Sequence, residues 1–406
     1  MQRKWTIALI TAVALASGVS APTAAEEPPV RIGVMNDLSS VYADYQGRGS
    51  VLAAQMAVED FGGTVVGRKI EVISADHQNK PDVGSAIARE WLDRRGVHMI
   101  ADLPNSAVAF AVNEVVRDKN KVLIGSGAGS VELTGSHCSP NTVHWTYDTW
   151  SYGHALARAI VQRGGKTWFF ITADYAFGHD LERQAADQVN KDGGKVLGAM
   201  RTPIGTADFS SMLVSAQASG AQVLGLAVAG GDTTNSMKQA AEFGVTGKMT
   251  MAPLIFGLNN VPALGLQASQ GALLVNPFYW DMNDGTRAWS RRFKQRSHND
   301  AMPNDMQAGV YAATLHYLKA VQKVGSPEDG QAIVAVMKSM PTDDPLFGKG
   351  HIRDDGRKLH DMYIFEVKSP AESKGDWDYF KLVATIPAEQ AFRPMNEGKC
   401  SFVAAK

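Results

Sequence analysis

The chain has 406 residues, of which 45% are hydrophobic and 20% charged, and its 40 basic side chains nearly balance its 41 acidic ones. This composition is typical of a globular protein with an ample core, and it differs from that of a disordered tail, a collagen-like repeat or a basic nucleic-acid binder. The one long apolar stretch lies at the extreme N-terminus, which excludes a multi-pass membrane protein.

Residues 1–25 have the features of a secretory signal peptide. Arg3 and Lys4 form a positive region, a short apolar core follows over 5–16, and small residues stand just before Glu26. The alternative is an uncleaved anchor helix, but the apolar core is well short of the roughly 20 residues that span a bilayer. We therefore expect cleavage and export.

The two cysteines, Cys138 and Cys400, are too few for a disulfide scaffold and too far apart in sequence for a Cys-x-x-Cys zinc pair. Export implies an oxidising compartment, where two cysteines are more often paired than free. We therefore expect one disulfide that clamps the C-terminal tail onto the first half of the chain. The sequence contains no P-loop, nucleophile elbow or H-E-x-x-H motif and predicts no metal site or cofactor.

After residue 26, short apolar strands alternate with helices, which predicts βαβ units and a mostly parallel α/β sheet covered on both faces. In the first half, the predicted strands are 30–34, 69–75, 97–101, 121–124 and 143–146, and the predicted helices are 50–61, 81–93 and 106–118. The length and the renewed alternation after residue 146 predict a second doubly wound lobe.

The second half repeats this pattern and then departs from it. Its predicted helices are 151–163, 178–191, 210–219, 233–243, 286–296, 305–324 and 327–339, and its predicted strands are 167–172, 195–201, 223–227, 248–251 and 271–275. Strands 362–367 and 379–385 follow with no helix between them. We expect these last two strands to form a hairpin at a sheet edge.

Ligands of such sheets bind outside the carboxyl ends of the strands, which directs attention to the loops there. Asn105 and Ser106 follow the third predicted strand and open an apolar helix, so backbone N–H groups at its start would suit a carboxylate. The alternative is that these residues only cap the helix.

A glycine-rich loop follows the fourth predicted strand. Ser126, Gly127 and Gly129 lie in it, and its small residues allow close backbone approach to an anion, whereas the alternative is a tight turn without a ligand. The third glycine of the dinucleotide fingerprint is replaced by Ser130, which argues against a nucleotide.

Aromatic side chains stand on loops of both halves. Tyr45 follows the first predicted strand, while Tyr175 and Phe177 follow a strand of the second half. Rings on opposing loops would suit a flat apolar ligand body, or they could merely cover neighbouring helices. Gly231 ends another strand with small residues, and the adjacent Asp232 either contacts the ligand or caps the next helix.

Five segments occur in an order and spacing that extend over nearly the whole chain after the signal peptide. They are the triplet at 32–34, the aromatic loop up to Tyr45, the segment 67–72 with 75–78, the segment 131–134 and the segment 174–178. Together they resemble the branched-chain-amino-acid-type solute-binding proteins of ABC transporters.

This resemblance implies the type I periplasmic binding protein fold, in which a three-crossing hinge joins two α/β lobes. The crossings would lie near Asp148, Pro277 and Lys349. The implied N-terminal lobe is 26–148 plus 278–349, the implied C-terminal lobe is 149–277 plus 350–388, and the tail 389–406 would return to the N-terminal lobe.

The resemblance also implies contacts. The family's carboxylate-binding loops correspond to Asn105–Ser106 and Gly127–Gly129, and its second-lobe aromatic residue corresponds to Phe177. Where amino-acid binders place an acid for the ligand's ammonium group, this chain has an apolar segment that contains Leu254 and Phe256. A buried ammonium group without a partner costs several kcal/mol. The segment therefore favours an aromatic or other apolar-bodied carboxylate over an amino acid or amide.

The implied function is capture of this carboxylate by lobe closure in the periplasm and its delivery to an ABC-transporter permease. The protein would act as a monomer, without catalysis, cofactor, metal or nucleic acid. Two alternatives stay open at this point. The same fold could serve as an extracytoplasmic sensor, or the chain could be a secreted hydrolase or oxidoreductase.

Overall fold

The structure is a computed structural model that describes residues 1–2 and 27–403. The predicted signal peptide lies outside the described residues apart from its first two positions. No helix in the described ranges is long and apolar enough to cross a membrane.

The first lobe is built on a six-stranded sheet with strand order β2-β3-β1-β4-β5-β6. Its strands are β1 (Val30–Asn36), β2 (Thr64–Val65), β3 (Arg68–Asp76), β4 (Val97–Asp102), β5 (Val122–Gly125) and β6 (Thr142–His144). Apart from the short antiparallel β2, neighbouring strands pair in parallel, as the sequence predicts. On β1, Ile32 and Val34 face one core and Met35 faces another, because both faces of the sheet are covered.

Helices cover both faces of this sheet. Those of the first lobe are α1 (Gly47–Phe61), α2 (Pro81–Arg94), α3 (Ser106–Asp118), α10 (Asp284–Arg296), α11 (Asp305–Val324) and α12 (Gly330–Ser339). Helices α1, α11 and α12 share one core with the sheet, while α2 and α3 pack in the core of the opposite face. The return of 284–339 to the first lobe explains why this helical run has no strands between its members.

The second lobe has a parallel four-stranded sheet with strand order β10-β9-β7-β8. The strands are β7 (Thr167–Ala173), β8 (Lys195–Thr202), β9 (Val223–Ala227) and β10 (Thr250–Pro253), and the helices are α4 (Thr149–Gln162), α5 (Ala176–Lys191), α6 (Ser210–Ala218), α7 (Gly231–Glu242), α8 (Asn260–Leu264) and α9 (Leu266–Ser269). On β7, Trp168 and Phe170 face one core and Phe169 and Ile171 face the other, so this sheet is also buried on both faces.

The late strands form antiparallel sheets. Strands β11 (Leu273–Asn276), β15 (Met362–Val367) and β16 (Phe380–Ile386) make a three-stranded sheet in which β15 and β16 form the predicted hairpin. Strands β12 (Thr342–Asp344), β13 (Gly348–Ile352) and β14 (Lys358–Leu359) make a second, small sheet that the sequence did not predict. The chain ends in the short helix α13 (Ala388–Ala391) and a 3₁₀ turn.

The third crossing between the lobes lies within the small sheet, between β13 and β14. Phe347 and Ile352 belong to the core of the first lobe, whereas Leu359 and Met362 belong to a core of the second. The core contacts therefore change between residues 352 and 359, which is later than the predicted crossing at Lys349. The cause is that β13 continues along the first lobe and that Arg357, directly before β14, still pairs with His144 there.

A buried arginine ties the first and third crossings together. The Arg357 guanidinium is fully buried, donates hydrogen bonds to the backbone oxygens of Trp145 and Tyr147, and lies 3.6 Å from the Asp148 carboxylate. Burial lowers the pKa of Arg357 to about 10, so the side chain keeps its charge at neutral pH. These backbone contacts fix the separation of the two crossing segments.

The expected disulfide is present and closes a sequence separation of 262 residues between Cys138 and Cys400. Beside it, Arg393 donates hydrogen bonds to Glu132 and to the Val131 carbonyl. The C-terminal tail is therefore held on the first lobe by one covalent link and by polar contacts.

Full reduction of this disulfide is expected to lower the free energy of unfolding by about 2–4 kcal/mol, because it frees a long loop in the unfolded chain. Urea unfolding with and without reductant measures the change. The doubly substituted variant Cys138→Ser/Cys400→Ser is the control and should be insensitive to reductant. An unchanged urea midpoint for the reduced native sequence would contradict the expected role.

Candidate functional site

A cavity lies between the lobes at the carboxyl ends of β1, β4, β7, β9 and β10. It is lined by Tyr42, Tyr45, Gln46, Pro104, Tyr147 and Met306 from the first lobe and hinge, and by Tyr175, Phe177, Ala229, Gly230 and Ile255 from the second lobe. Neither a basic nor an acidic side chain belongs to this lining, which consists entirely of described residues. The position is the one that parallel α/β sheets offer to ligands.

Aromatic rings dominate the walls. The Tyr42 and Tyr175 hydroxyl oxygens are 2.8 Å apart across the two lobes, and the Tyr175 and Phe177 ring centroids are 5.9 Å apart. Burial raises the pKa of Tyr42, Tyr45 and Tyr147 well above the ordinary tyrosine value. These hydroxyls therefore stay neutral and can donate hydrogen bonds. Tyr45, Tyr175 and Phe177, all selected from the sequence, are brought together here.

Three helices begin at the cavity. Pro104 precedes the N-cap residue of α3, Tyr175 is the N-cap residue of α5, and Gly230 is the N-cap residue of α7. Neither α5 nor α7 has a side-chain cap. The positive ends of three helix dipoles therefore point at a space that has no charged wall, and this arrangement favours a negatively charged guest.

The loop after β1, residues 41–46, closes the cavity against the second lobe, and we call it the first-lobe loop. Its Val41 carbonyl accepts from the Gly231 amide at 3.1 Å, and its Asp44 carbonyl accepts from the Asn259 side chain at 2.9 Å. Its Tyr45 hydroxyl donates to Asn260. The amide of Gly231, a residue predicted from the sequence to contact the ligand, therefore makes a hydrogen bond between the lobes.

The glycine-rich loop turns back on β4. The amides of Gly127 and Ala128 both donate to the Asp102 carbonyl, at 3.1 and 3.3 Å, so they are engaged within the protein. The Gly127 carbonyl accepts from the Tyr147 hydroxyl at 3.1 Å. Gly129 needs its small size, since a Cβ there would lie 2.6 Å from the Phe177 ring. The loop therefore shapes the wall and supports Tyr147 and Phe177.

Asn105 and Ser106 have structural partners. The Asn105 side chain accepts from the amides of Ala107 and Val108 at 3.0 and 3.2 Å, which makes it the N-cap of α3. The Ser106 hydroxyl oxygen accepts from the Ser130 amide at 3.0 Å. Both side chains are buried behind Pro104, which lines the cavity. The Asn105 side chain therefore caps α3, which is the alternative to ligand binding that the sequence left open.

The apolar segment of the second lobe contributes through a residue that the sequence did not select. Ile255 lines the cavity, while Leu254 and Phe256 are buried in the two cores on either side of the sheet. The strand β10 ends at Pro253 and the chain bends there, so the order of residues along this segment does not tell which side chain enters the cavity. Asp232 does not reach the cavity either, because its carboxylate accepts from the Gly205 amide at 2.9 Å.

Buried polar atoms without partners lie just behind the cavity wall. They are the Ser126 hydroxyl, the Gln46 Oε1 atom and the Asp102 Oδ1 atom. Asp102 has a left-handed backbone with φ +83°, and burial raises its pKa to about 7, although Ser50 and the hydrogen bond from Asn36 act in the opposite direction. Sequence reasoning named the loop of Asp102 but did not select this residue. Its place at the end of a buried strand was the available signal.

The described residues contain no group of three or more His, Cys, Asp or Glu side chains that could hold a metal ion.

A model of the periplasmic binding protein family matches residues 29–376. The chain belongs to the periplasmic binding protein family. The resemblance seen in the sequence is thereby confirmed, and so is the type I fold.

Individual relatives support the same family assignment. A periplasmic binding protein from Burkholderia mallei has 49% identity and a TM-score of 0.90, with 92% of this chain and 99% of that one covered. A branched-chain amino acid ABC transporter periplasmic ligand-binding protein from Burkholderia xenovorans has 41% identity and a TM-score of 0.81, with 92% and 99% covered. The Leu/Ile/Val-binding protein homolog 6 of Brucella melitensis is 26% identical over 370 residues, which are 88% of this chain and 92% of the relative.

This membership determines the general role. Periplasmic binding proteins of ABC transporters bind a small molecule outside the cytoplasm and present it to a membrane permease, and they are not enzymes. The cavity between the lobes is the place where such a ligand would lie, because its walls come from both lobes.

Closure of the periplasmic binding protein should fail when Gly230 gains a side chain. Gly230 has φ +60°, and a Cβ there would lie 2.3 Å from the Val41 carbonyl oxygen of the first-lobe loop. Gly230→Ala is expected to lower the closed fraction measured by single-molecule energy transfer between dyes on the two lobes.

The matched control for this substitution is Gly244→Ala. Gly244 has a similar φ of +67° but no atom within 4 Å of an added Cβ, so its variant carries backbone strain without the clash. An equal closed fraction in the two variants would contradict the role given to the contact between Gly230 and Val41.

Proposed function

We propose that this periplasmic binding protein captures a small carboxylate with an aromatic or other apolar body and delivers it to the permease of an ABC transporter. The observation that carries the proposal is the convergence of three helix N-termini on an uncharged, ring-lined cavity. Helix N-termini favour an anion, and the rings favour an apolar body. The proposed protein contacts are Tyr45, Tyr175 and Phe177, and the loops at 105–106 and 126–129 shape the wall behind them.

The lining also argues for the charge of the ligand. No Asp or Glu side chain belongs to the described lining, so the ammonium group of an amino acid would lose its hydration without gaining an ion pair there. A carboxylate would instead meet neutral donors, namely the free proton of the Tyr42 and Tyr175 hydroxyl pair and the Gln46 amide. Neutral donors can hold an anion when they are already oriented, because hydrogen bonds to charged groups are stronger than those between neutral groups.

An amino acid or amide ligand is the second candidate, and two buried acids favour it. The Asp102 carboxyl lies behind Gln46. The Asp232 carboxyl lies near the Tyr42 and Tyr175 pair, where burial and, to a smaller extent, the charge of Asp232 raise the pKa of both hydroxyls. A shift of either side chain on ligand binding would give an amine a partner. A sensor with the same fold would use the same cavity. A receptor as the partner, rather than a permease, would identify the sensor role.

Matched ligand pairs test the charge of the ligand. Benzoate, phenylacetate and hexanoate are each compared with the amine of the same carbon skeleton, and leucine represents the amino acids. At about 100 times its dissociation constant, an acid that binds should stabilise the protein by about 2.7 kcal/mol in a thermal-shift assay. Stabilisation by the amines or by leucine, with none of the acids active, would refute the proposal.

The aromatic wall is tested with two phenylalanines of the second lobe. Phe177→Ala removes a buried ring that lines the cavity, whereas Phe243→Ala removes a ring that is 47% exposed on the surface. We expect the first substitution to raise the dissociation constant for benzoate or phenylacetate about tenfold or more, because an aromatic contact is worth about 1 kcal/mol beyond its buried area. Calorimetry should find the second variant unchanged, and equal losses in both would contradict the assignment.

A further inference from the structure

The Asp102 carboxyl is enclosed by groups from three neighbouring elements. Asn36, at the end of β1, donates a hydrogen bond to the Oδ2 atom of Asp102. Ser50 faces the carboxyl from α1, and so does Gln46, the N-cap residue of that helix. Gly127 packs against it from the loop after β5. Asp102 itself is completely buried; its Oδ1 atom and the Ser50 hydroxyl both lack a hydrogen bond of normal geometry, although Ser50 is near enough to lower the pKa of Asp102.

Two oxygen acceptors and the Gln46 amide nitrogen lie around the position that a Cβ on Gly127 would take. A Cβ on that glycine would lie 2.3 Å from Gln46 Oε1 and 2.7 Å from Asp102 Oδ1, and both atoms are buried without partners. Two unpaired buried acceptors in one place cost free energy, and a proton on one of them would allow a hydrogen bond to the other. A protonated Asp102 supplies that proton, whereas an ionised Asp102 leaves two oxygens that repel each other.

The state of Gln46 affects the ligand directly, because Gln46 lines the cavity. Its Nε2 atom lies 2.7 Å from the Met306 sulfur, which also lines the cavity and is only a weak acceptor. This amide nitrogen therefore has only a weak acceptor on the cavity side, and it lies 2.6 Å from the position of a Cβ on Gly127. The orientation is suited to an anion as long as Oε1 stays on the Asp102 side.

We propose that a protonated Asp102 holds Gln46 with its amide N–H groups toward the cavity, where they donate to the carboxylate of the ligand. Asp102 acts as a positioning residue, and Gln46 is the group that touches the ligand. The inference rests on the proposed function, because it takes the ligand to be a carboxylate. In this proposal the proton on Asp102 allows a carboxylate to bind without a basic side chain.

Ionisation of Asp102 would reverse the arrangement. A charged carboxylate attracts the Gln46 N–H groups, so the amide would turn and present Oε1 to the ligand. Two carboxylates would then be buried near one another with no cation between them, which is strongly unfavourable. Binding of an acid should therefore take up a proton whenever Asp102 is ionised in the free protein, and affinity should fall as the pH rises.

The surroundings of Asp102 support a loss of affinity with rising pH. Burial is the largest influence and raises its pKa, and no charged side chain of the described residues contributes to the shift. The titratable group that responds to the charge of Asp102 is the Tyr147 hydroxyl, which stays neutral. Asp232 and Asp305 are two other buried carboxyls near the lobe junction, and burial raises the pKa of each to about 6.

The test is the affinity of the full-length exported protein for whichever of benzoate, phenylacetate or hexanoate binds most tightly, measured by calorimetry from about pH 6 to about pH 9. These acids are ionised throughout this range. The dissociation constant should rise about tenfold per pH unit above about pH 7, since one proton is taken up with each ligand. In Asp102→Asn the neutral side chain can still donate to Gln46 Oε1, so affinity should be retained and should vary less than about threefold with pH.

Asparagine also tolerates the left-handed backbone of residue 102, which makes this variant conservative. Asp232→Asn is the matched control and should keep the steep pH dependence of the native sequence. Should Asp102→Asn fail to fold, the native protein still answers the question. At about pH 8, calorimetry in buffers of different ionisation enthalpy should find about one proton taken up per acid bound.

The outcomes separate the two proposals. A flat pH profile for the native protein, the same slope in Asp102→Asn, or no proton uptake would overturn the role of Asp102 while tight binding of the acid upholds the proposed function. If none of the acids binds at any pH, both proposals are wrong.

Discussion

For the proposed carboxylate ligand, the constraint on which the rest of the site depends is the removal of an anion from water without a basic side chain to receive it. The described lining of the cavity offers neutral hydroxyls, one amide and the starts of α3, α5 and α7. Such groups compensate an anion only if they are already oriented and if water is excluded. The first-lobe loop excludes water by its contacts with the second lobe, so closure and recognition depend on the same residues.

Much of the fold could be predicted from the sequence because both parallel sheets are buried on both faces. Strands such as β5 and β9 are short, continuous apolar runs, and amphipathic helices separate them. The small sheet β12–β14 could not be predicted, because its strands are short, largely polar and stabilised by pairing rather than by an apolar face. That sheet carries the chain along the first lobe and moves the third crossing beyond Lys349.

The site was only partly predictable. Tyr45, Tyr175 and Phe177 were found because aromatic residues at strand ends are a local signal. Gln46 and Asp102 were missed because their importance arises from contact across three elements, which no spacing in the sequence displays. The glycine-rich loop was predicted either to contact an anion or to form a tight turn, and the amides of Gly127 and Ala128 turn inward to the Asp102 carbonyl. Sequence can place a loop at the right edge of a sheet, but it does not tell which way each amide points.

Closure around an anionic guest is the central claim, and small-angle X-ray scattering measures it most directly. The radius of gyration of the protein should decrease as benzoate, phenylacetate or hexanoate is added, and it should stay constant with the amine of the same skeleton. A radius of gyration that does not respond to any of the acids, or that decreases only with the amines, would contradict the account.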